Sequence, residues 1–327
     1  MQIVYISKRP DILHDTLSSL IRFMPFIDGA VIVIPRNAQP EFEYVNDLFP
    51  ASFIYDESLI RNDRRQLDHQ SRDYMLRTAL SEHPTIADEF IMSDDDYRPL
   101  TMIDPALFRE AGKYHSYYFY ELAEWINNET DFDIGQQNTY QVLKYLKYPH
   151  RSFASHMPQI INKEIFNESK KCFSTYSDRL GLCEWSTYFN YAHTRHAESF
   201  HPAQPYKTLC WPDCVTCWPR AFEPDEYLFE NFSPRLYKER GPFSDIAALE
   251  ARFDDPRFAK ILAWYHHEIS ALQGRSLDTN TFARGVAYRL ALPLRRLKDV
   301  LWLRERTEIL RLSDRIRKIE RLIERKP

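Results

Sequence analysis

Short β-branched runs alternate with helical spacing through the first hundred residues, and that alternation restricts the chain to few folds. QIVYIS (Gln2 to Ser7) reads as a buried strand. DILHDTLSSLIRFM follows with apolar residues at Ile12, Leu13, Leu17, Leu20, Ile21 and Met24, a helical period. AVIVIP (Ala30 to Pro35) is a second strand and SFIYD (Ser52 to Asp56) a third. RRQLDHQSRDYMLRTALSEH reads as a long amphipathic helix, and DEFIMSDDD as a fourth strand. Such alternation predicts an α/β fold with right-handed βαβ units and a mainly parallel sheet flanked by helices. Ligands of these sheets bind beyond the carboxyl ends of the strands.

The fourth strand ends on Asp94, Asp95 and Asp96. Adjacent carboxylates raise each other's pKa and repel, so the triplet is costly without a cation. Mg²⁺ and Mn²⁺ prefer carboxylate oxygens and water. An extended turn puts Asp94 and Asp96 on one side. We therefore expect Asp96 as direct metal ligand, Asp94 on a ribose or a metal-bound water, and Asp95 as a second metal or sugar contact. A solvated acidic turn is the alternative, opposed by the apolar Phe90 to Met92 just before it.

No apolar run of 18 residues is present, and MQIVYISKRPDIL lacks the order of a signal peptide. The sequence is therefore expected to be cytoplasmic. Five cysteines, an odd number, argue against a disulfide framework. Cys210, Cys214 and Cys217 fall within eight residues, and with His201 or Cys183 they would complete a zinc set. Glycine numbers only 7 and no phosphate cradle occurs, which excludes P-loop and dinucleotide-binding enzymes. The 20 Tyr and 21 Phe suit either a sugar-binding surface or a large core. Leu100 to Pro242 is less periodic and rich in Tyr, Trp, Pro and His.

Two resemblances attach to these residues. IVYISKRPDILHDTLSSL resembles the opening of nucleotide-sugar glycosyltransferases of the GT-A fold, and FIMSDDD resembles that fold's DxD motif. HQSRDYMLRTALSEHPTIADEFIMSDDDYRPL and SHMPQIINKEIF resemble two blocks of Stealth-type sugar-phosphate transferases, whose opening block is missing here. Both families act on nucleotide-activated sugars in building bacterial surface polysaccharides such as O-antigen and capsule. The resemblance implies a nucleoside-diphosphate sugar donor, UDP-linked, with Mn²⁺ or Mg²⁺ as cofactor and a glycan or lipid-linked glycan as acceptor. It also implies a GT-A-like domain over 1–245, with a nucleotide half at about 1–100 and an acceptor half at 101–245. A helical segment over 246–283 and a C-terminal helical extension over 284–327 follow.

An inverting transfer needs a carboxylate to take the acceptor's proton. Inverting GT-A enzymes often set that acid at a helix start beside an aromatic. Glu184, followed by Trp185, resembles it, and Asp178 is the second candidate. A charge that merely suits the helix dipole is the alternative for Glu184. His156 could ligate metal, bind phosphate or act as acid and base. Lys8 and Arg9 sit in the first strand-to-helix turn, where anions are favoured. Asp56 would accept from a uracil or ribose, and Arg61, Arg64 and Arg65 would meet diphosphate oxygens. The pairs His193/His196 and His266/His267 lack a third ligand at a convincing spacing.

Residues 284–327 carry 14 Lys/Arg against 6 Asp/Glu. Ile309, Leu312, Ile316, Ile319 and Ile323 form a heptad seam. The segment reads as a coiled coil joining a second copy or a partner enzyme, or as a basic amphipathic helix on the inner face of the membrane. Because the remaining body is acidic, nucleic acid is excluded as partner. Three activities remain: sugar transfer, sugar-1-phosphate transfer, or non-catalytic scaffolding of glycan and enzymes.

Overall fold

All four expected strands are present, each within a residue or two of its expected bounds. The computed structural model describes residues 1–60, 67–125, 130–209, 227–232 and 234. The first region runs β1 (Gln2–Ile6), α1 (Pro10–Phe23), β2 (Gly29–Ile34), α2 (Val45–Leu48), β3 (Ala51–Tyr55), α3 (Asp56–Leu59), α4 (His69–Leu80) and β4 (Glu89–Asp94). Then come β5 (Tyr97–Pro99), β6 (Arg109–Glu110), β7 (Lys113–Tyr114), β8 (Tyr117–Tyr118), β9 (Tyr120–Glu121) and α5 (Asp131–Leu146). The remainder is β10 (Arg151–Ser152), β11 (Gln159–Asn162), α6 (Lys163–Ser177), α7 (Glu184–Arg195), β12 (Gln204–Pro205), β13 (Thr208–Leu209) and β14 (Phe229–Asn231).

The main sheet has the order β11-β4-β1-β2-β3. β1 pairs in parallel with β2 and β4, and β2 with β3, while β11 joins β4 antiparallel. The protein is therefore a mixed α/β fold around a mostly parallel sheet. Helices cover the strands, so β2 is buried from Ala30 to Ile34 and reads as a continuous apolar run. Helix α1 buries Leu13, Leu17, Leu20 and Phe23, spaced on one face, against this core.

The chain steps β1 to β2 to β3 in one direction, then returns to place β4 on the other side of β1. That reversal opens a crevice between the carboxyl ends of β1 and β4. Ile6 is in register with Asp94. The turn after β1 (Ser7 to Arg9) thus lies beside the turn after β4 (Asp95, Asp96).

Among its described residues, the weakly periodic middle holds the helices α5, α6 and α7. The sequence hid α5 because its buried face is polar, including Gln136, Asn138 and Thr139. Its start was marked by a capping box in which Thr130 and Asp133 satisfy each other's backbone N–H. Gly135 in α5 has a packing reason, since a Cβ there would come within 2.5 Å of the Gln70 side chain.

No helix among the described residues is long and apolar enough to cross a membrane. Arg61, Arg64, Arg65, Cys210, Cys214, Cys217, His266 and His267 lie outside the described residues, as do the segments 246–283 and 284–327.

Candidate active site

A cavity of about 620 Å³ opens at the carboxyl ends of β1 and β4. Its wall includes Lys8, Arg9, Asp94, Asp95, Asp96, His156 and Glu184. Seven residues singled out from the sequence, spread from position 8 to 184, thus meet in one place.

The three aspartates play different parts. Asp95 is only 3% exposed. It accepts from Ser7 Oγ at 2.6 Å and from Arg9 Nε at 3.1 Å, and it also pairs with Arg9 Nη2. Its carbonyl accepts from Thr16 Oγ1 at 2.6 Å. Asp95 therefore ties the β4 turn to the β1 turn and to α1. Asp96 shares Arg9 Nη2 at 3.0 Å. Burial, and Asp95 beside it, push the Asp96 carboxyl up, with Arg9 working against them. Burial disfavours the Arg9 cation, but the two carboxylates more than offset that and hold its pKa above the usual value.

Asp94 closes β4 and pairs with the buried Arg77 of α4. The chain turns at Asp95 and Asp96 and is not extended there, so all three aspartates line the cavity, and the carboxylates of Asp94 and Asp96 go to different arginines. Asp94 and Asp96 are the members of the triplet best able to turn to a cation, because Asp95 is committed to Ser7 and Arg9. The loop beyond is held by the residue after β14, Phe232, whose N–H reaches Asp96 C=O at 2.7 Å. Arg98 and Glu230 form a buried ion pair across β5 and β14.

Glu184 is the first residue of α7 and is 4% exposed. Arg77 Nε stands 2.8 Å from its Oε1, but the N–H is not aligned for a hydrogen bond. Gln70 Nε2 donates weakly to Oε2 at 3.4 Å and to the Leu182 carbonyl at 2.9 Å. Burial pushes the Glu184 pKa up to about 7, with Arg77 opposing and Asp73 adding to the rise. A carboxylate with these neighbours exchanges its proton near neutrality, as a general base must. Trp185 lies beside it, under the Arg77 guanidinium at 5.0 Å.

His156 stands at φ 53°, in the left-handed region that costs a non-glycine residue energy. Its ring meets Tyr97 and Phe119 edge-on, at 5.7 and 5.8 Å. Burial lowers its pKa to about 4, so the imidazole is neutral at pH 7.

Two expected residues fall elsewhere. Asp178 caps the C-terminus of α6 and lines a separate depression with Ser174 and Ser177. Asp56 does not line the cavity, and it pairs with Arg72, which does. His201, weighed as a fourth ligand for the cysteines, stacks on His115, and Cys210, Cys214 and Cys217 lie outside the described residues.

Arg77, Gln70 and Asp73 were missed. They repeat at i, i+3 and i+7 along α4 and form a polar stripe, while Tyr74, Leu76 and Leu80 of the same helix are buried. A helix with both an apolar and a polar inward stripe was the available signal. Ser7 was read only as the last residue of the first strand.

No family model matches the chain, and no curated protein matches it. Among solved structures, the chain is similar to mouse xyloside xylosyltransferase 1 in its apo form, at 12% identity and a TM-score of 0.44, covering 71% of this chain and 96% of that one. It is also similar to 4-diphosphocytidyl-2C-methyl-D-erythritol synthase from Anaerococcus prevotii, at 9% identity and a TM-score of 0.35, covering 62% of this chain and 86% of that one. At these scores neither likeness carries an argument about the site.

Proposed function

We propose that the protein is a glycosyltransferase that moves a sugar from a nucleoside-diphosphate donor, UDP-linked, to a growing bacterial polysaccharide such as O-antigen or capsule, with inversion. The observation that carries this reading is the convergence of Lys8, Arg9, Asp94, Asp96, His156 and Glu184 on one cavity at the sheet's switch point.

Asp94 and Asp96 would hold Mn²⁺ or Mg²⁺, since hard cations take carboxylate oxygens. Bound there, the ion would neutralise charge on the leaving diphosphate. Lys8, Arg9 and the N-terminus of α1 offer positive charge to the donor's phosphates. Asp95 keeps Arg9 in place. Glu184, poised near neutrality, takes the proton of the acceptor hydroxyl, and Trp185 gives that region a flat apolar wall. Gln70 and Arg77 orient the base. The nucleotide half is assigned to about 1–100 and the acceptor half to 101–245.

The test is a screen of nucleotide sugars with Mn²⁺, reading nucleotide release and product. Release of a nucleoside diphosphate with a new glycosidic bond supports the reading. Release of a nucleoside monophosphate with a phosphodiester supports sugar-1-phosphate transfer. Absence of metal-dependent nucleotide binding supports a scaffold.

The acceptor is assigned as a glycan or lipid-linked glycan, with the protein in the cytoplasm at the membrane's inner face. The segment 301–327 would supply that contact, or join a partner enzyme or second copy. Its deletion should leave transfer to a small soluble acceptor intact while abolishing sedimentation with anionic liposomes or the larger mass seen by light scattering.

A further inference from the structure

Away from the cavity, β6 and β7 form a hairpin whose two turn residues, Ala111 and Gly112, have φ of 49° and 80°. Positive φ at both positions makes a tight turn matched to the strand twist. Glu110 ends β6 and His115 follows β7. His201 arrives from far along the chain because its N–H bonds to the Tyr114 carbonyl at 2.9 Å and Tyr114 pairs with Phe200. One ligand atom from each of Glu110, His115 and His201 lies within 4.8 Å of the others. The two imidazoles stack at 4.3 Å and 13°.

The hydrogen bonds around the group decide which nitrogens are free. His201 Nε2 is 3.1 Å from the Glu110 carbonyl, which accepts only from N–H. Its Nδ1 therefore keeps a lone pair. His115 Nε2 faces Glu110 Oε2 at 3.5 Å, and its Nδ1 faces the Gln204 amide at 3.4 Å. Gln204 presents its Nε2 to Nδ1, so binding an ion at His115 Nε2 requires that amide to turn its oxygen to Nδ1–H, which frees the Nε2 lone pair. An imidazole whose other N–H is anchored on a carbonyl is the usual arrangement of a metal ligand. His115 is 8% exposed, whereas the Glu110 side chain is 63% exposed, so the group is fixed on one side and open to an entering ion on the other.

We propose that Glu110, His115 and His201 form a zinc site, separate from the cavity, that staples the β6–β7 hairpin to the chain around His201. Two imidazoles and one carboxylate suit zinc, and water can take the fourth position. The same set suits Mg²⁺ poorly, because that ion favours oxygen ligands. Bonds of about 2.0–2.1 Å require Glu110 to close in and the His201 ring to turn out of its stack on His115, so that both in-plane lone pairs converge on one ion while the backbone stays put. Glu110 and His201 are 91 positions apart, so the ion would cross-link distant segments of the fold. It would raise stability by mass action.

The full-length chain, stripped with a chelator, is titrated with zinc chloride by calorimetry and followed by thermal unfolding. We expect one zinc that raises the melting temperature and survives conversion of Cys210, Cys214 and Cys217 to serine. Glu110→Gln and His201→Ala should each weaken zinc binding by at least about tenfold, the size lost even when a ligand's hydrogen-bond partner is removed. Neither substitution empties a buried apolar position, so both variants should fold in the absence of zinc. Cobalt substituted for zinc should show d–d bands without thiolate charge transfer. Failure of the wild-type chain to bind zinc overturns the proposal. So does unchanged affinity in both variants, or loss of the zinc in the cysteine variant.

Discussion

Arg77 Nε stands 2.8 Å from Glu184 Oε1, and the same guanidinium reaches Asp94 with Nη2. One buried arginine therefore links the strand-end triplet to the candidate base on α7. Removing it would leave a buried carboxylate with no cation beside it, a change that typically costs about 3–5 kcal/mol.

Arg77→Met is expected to destabilise the protein by about 3 kcal/mol in urea unfolding. Because Arg77 opposes the rise in the Glu184 pKa, the acid limb of the pH–rate profile should also move to higher pH. A purely structural arginine would change stability and leave the limb in place.

Glu184→Gln should lower turnover by about a hundredfold or more with donor affinity kept. In the wild type, turnover should rise as pH passes through about 7, where Glu184 loses its proton. The stability effect has the opposite sign. A carboxyl whose pKa is raised on folding binds its proton more tightly in the folded state, so its contribution is lost as pH climbs from its ordinary value of 4.5 to about 7. The stability of Glu184→Gln relative to wild type should therefore grow over that window, by at most about 3 kcal/mol. Parallel urea titrations of both proteins at several pH values measure it.

Asp96→Ala should abolish Mn²⁺-dependent transfer in a protein that still folds. Asp95→Ala should lower the melting temperature more, because it removes the partner of both Ser7 and Arg9. Equal loss of stability in the two variants would count against the division of roles within the triplet.

His156→Asn should keep the fold, since Asn tolerates the left-handed backbone, and should slow transfer at least tenfold if the ring touches substrate. His156→Val should lose about 1–2 kcal/mol by forcing a β-branched residue to φ 53°. Kinetics of the first and unfolding of the second separate the ring's role from the backbone's.

The strands β1 to β4, α1, α4 and the acidic turn were legible in the chain, because burial on both faces of β1, β2 and β4 writes itself as continuous apolar runs and one buried helix face as a 3.6-residue period. The position of Glu184 at a helix start was legible from its neighbours. The antiparallel β11 was not, since Gln159–Asn162 is too short to carry a period. Nor was α5, whose inward face is polar. The separate parts of Asp94, Asp95 and Asp96 depend on which arginine approaches from which element, and only the packing of α4 and the β1 turn against β4 decides that. Arg77 shows the limit most clearly. In sequence it is one cation on an amphipathic helix, and its meaning comes from Asp94, 17 positions away, and Glu184, 107 positions away, which local periodicity cannot bring together.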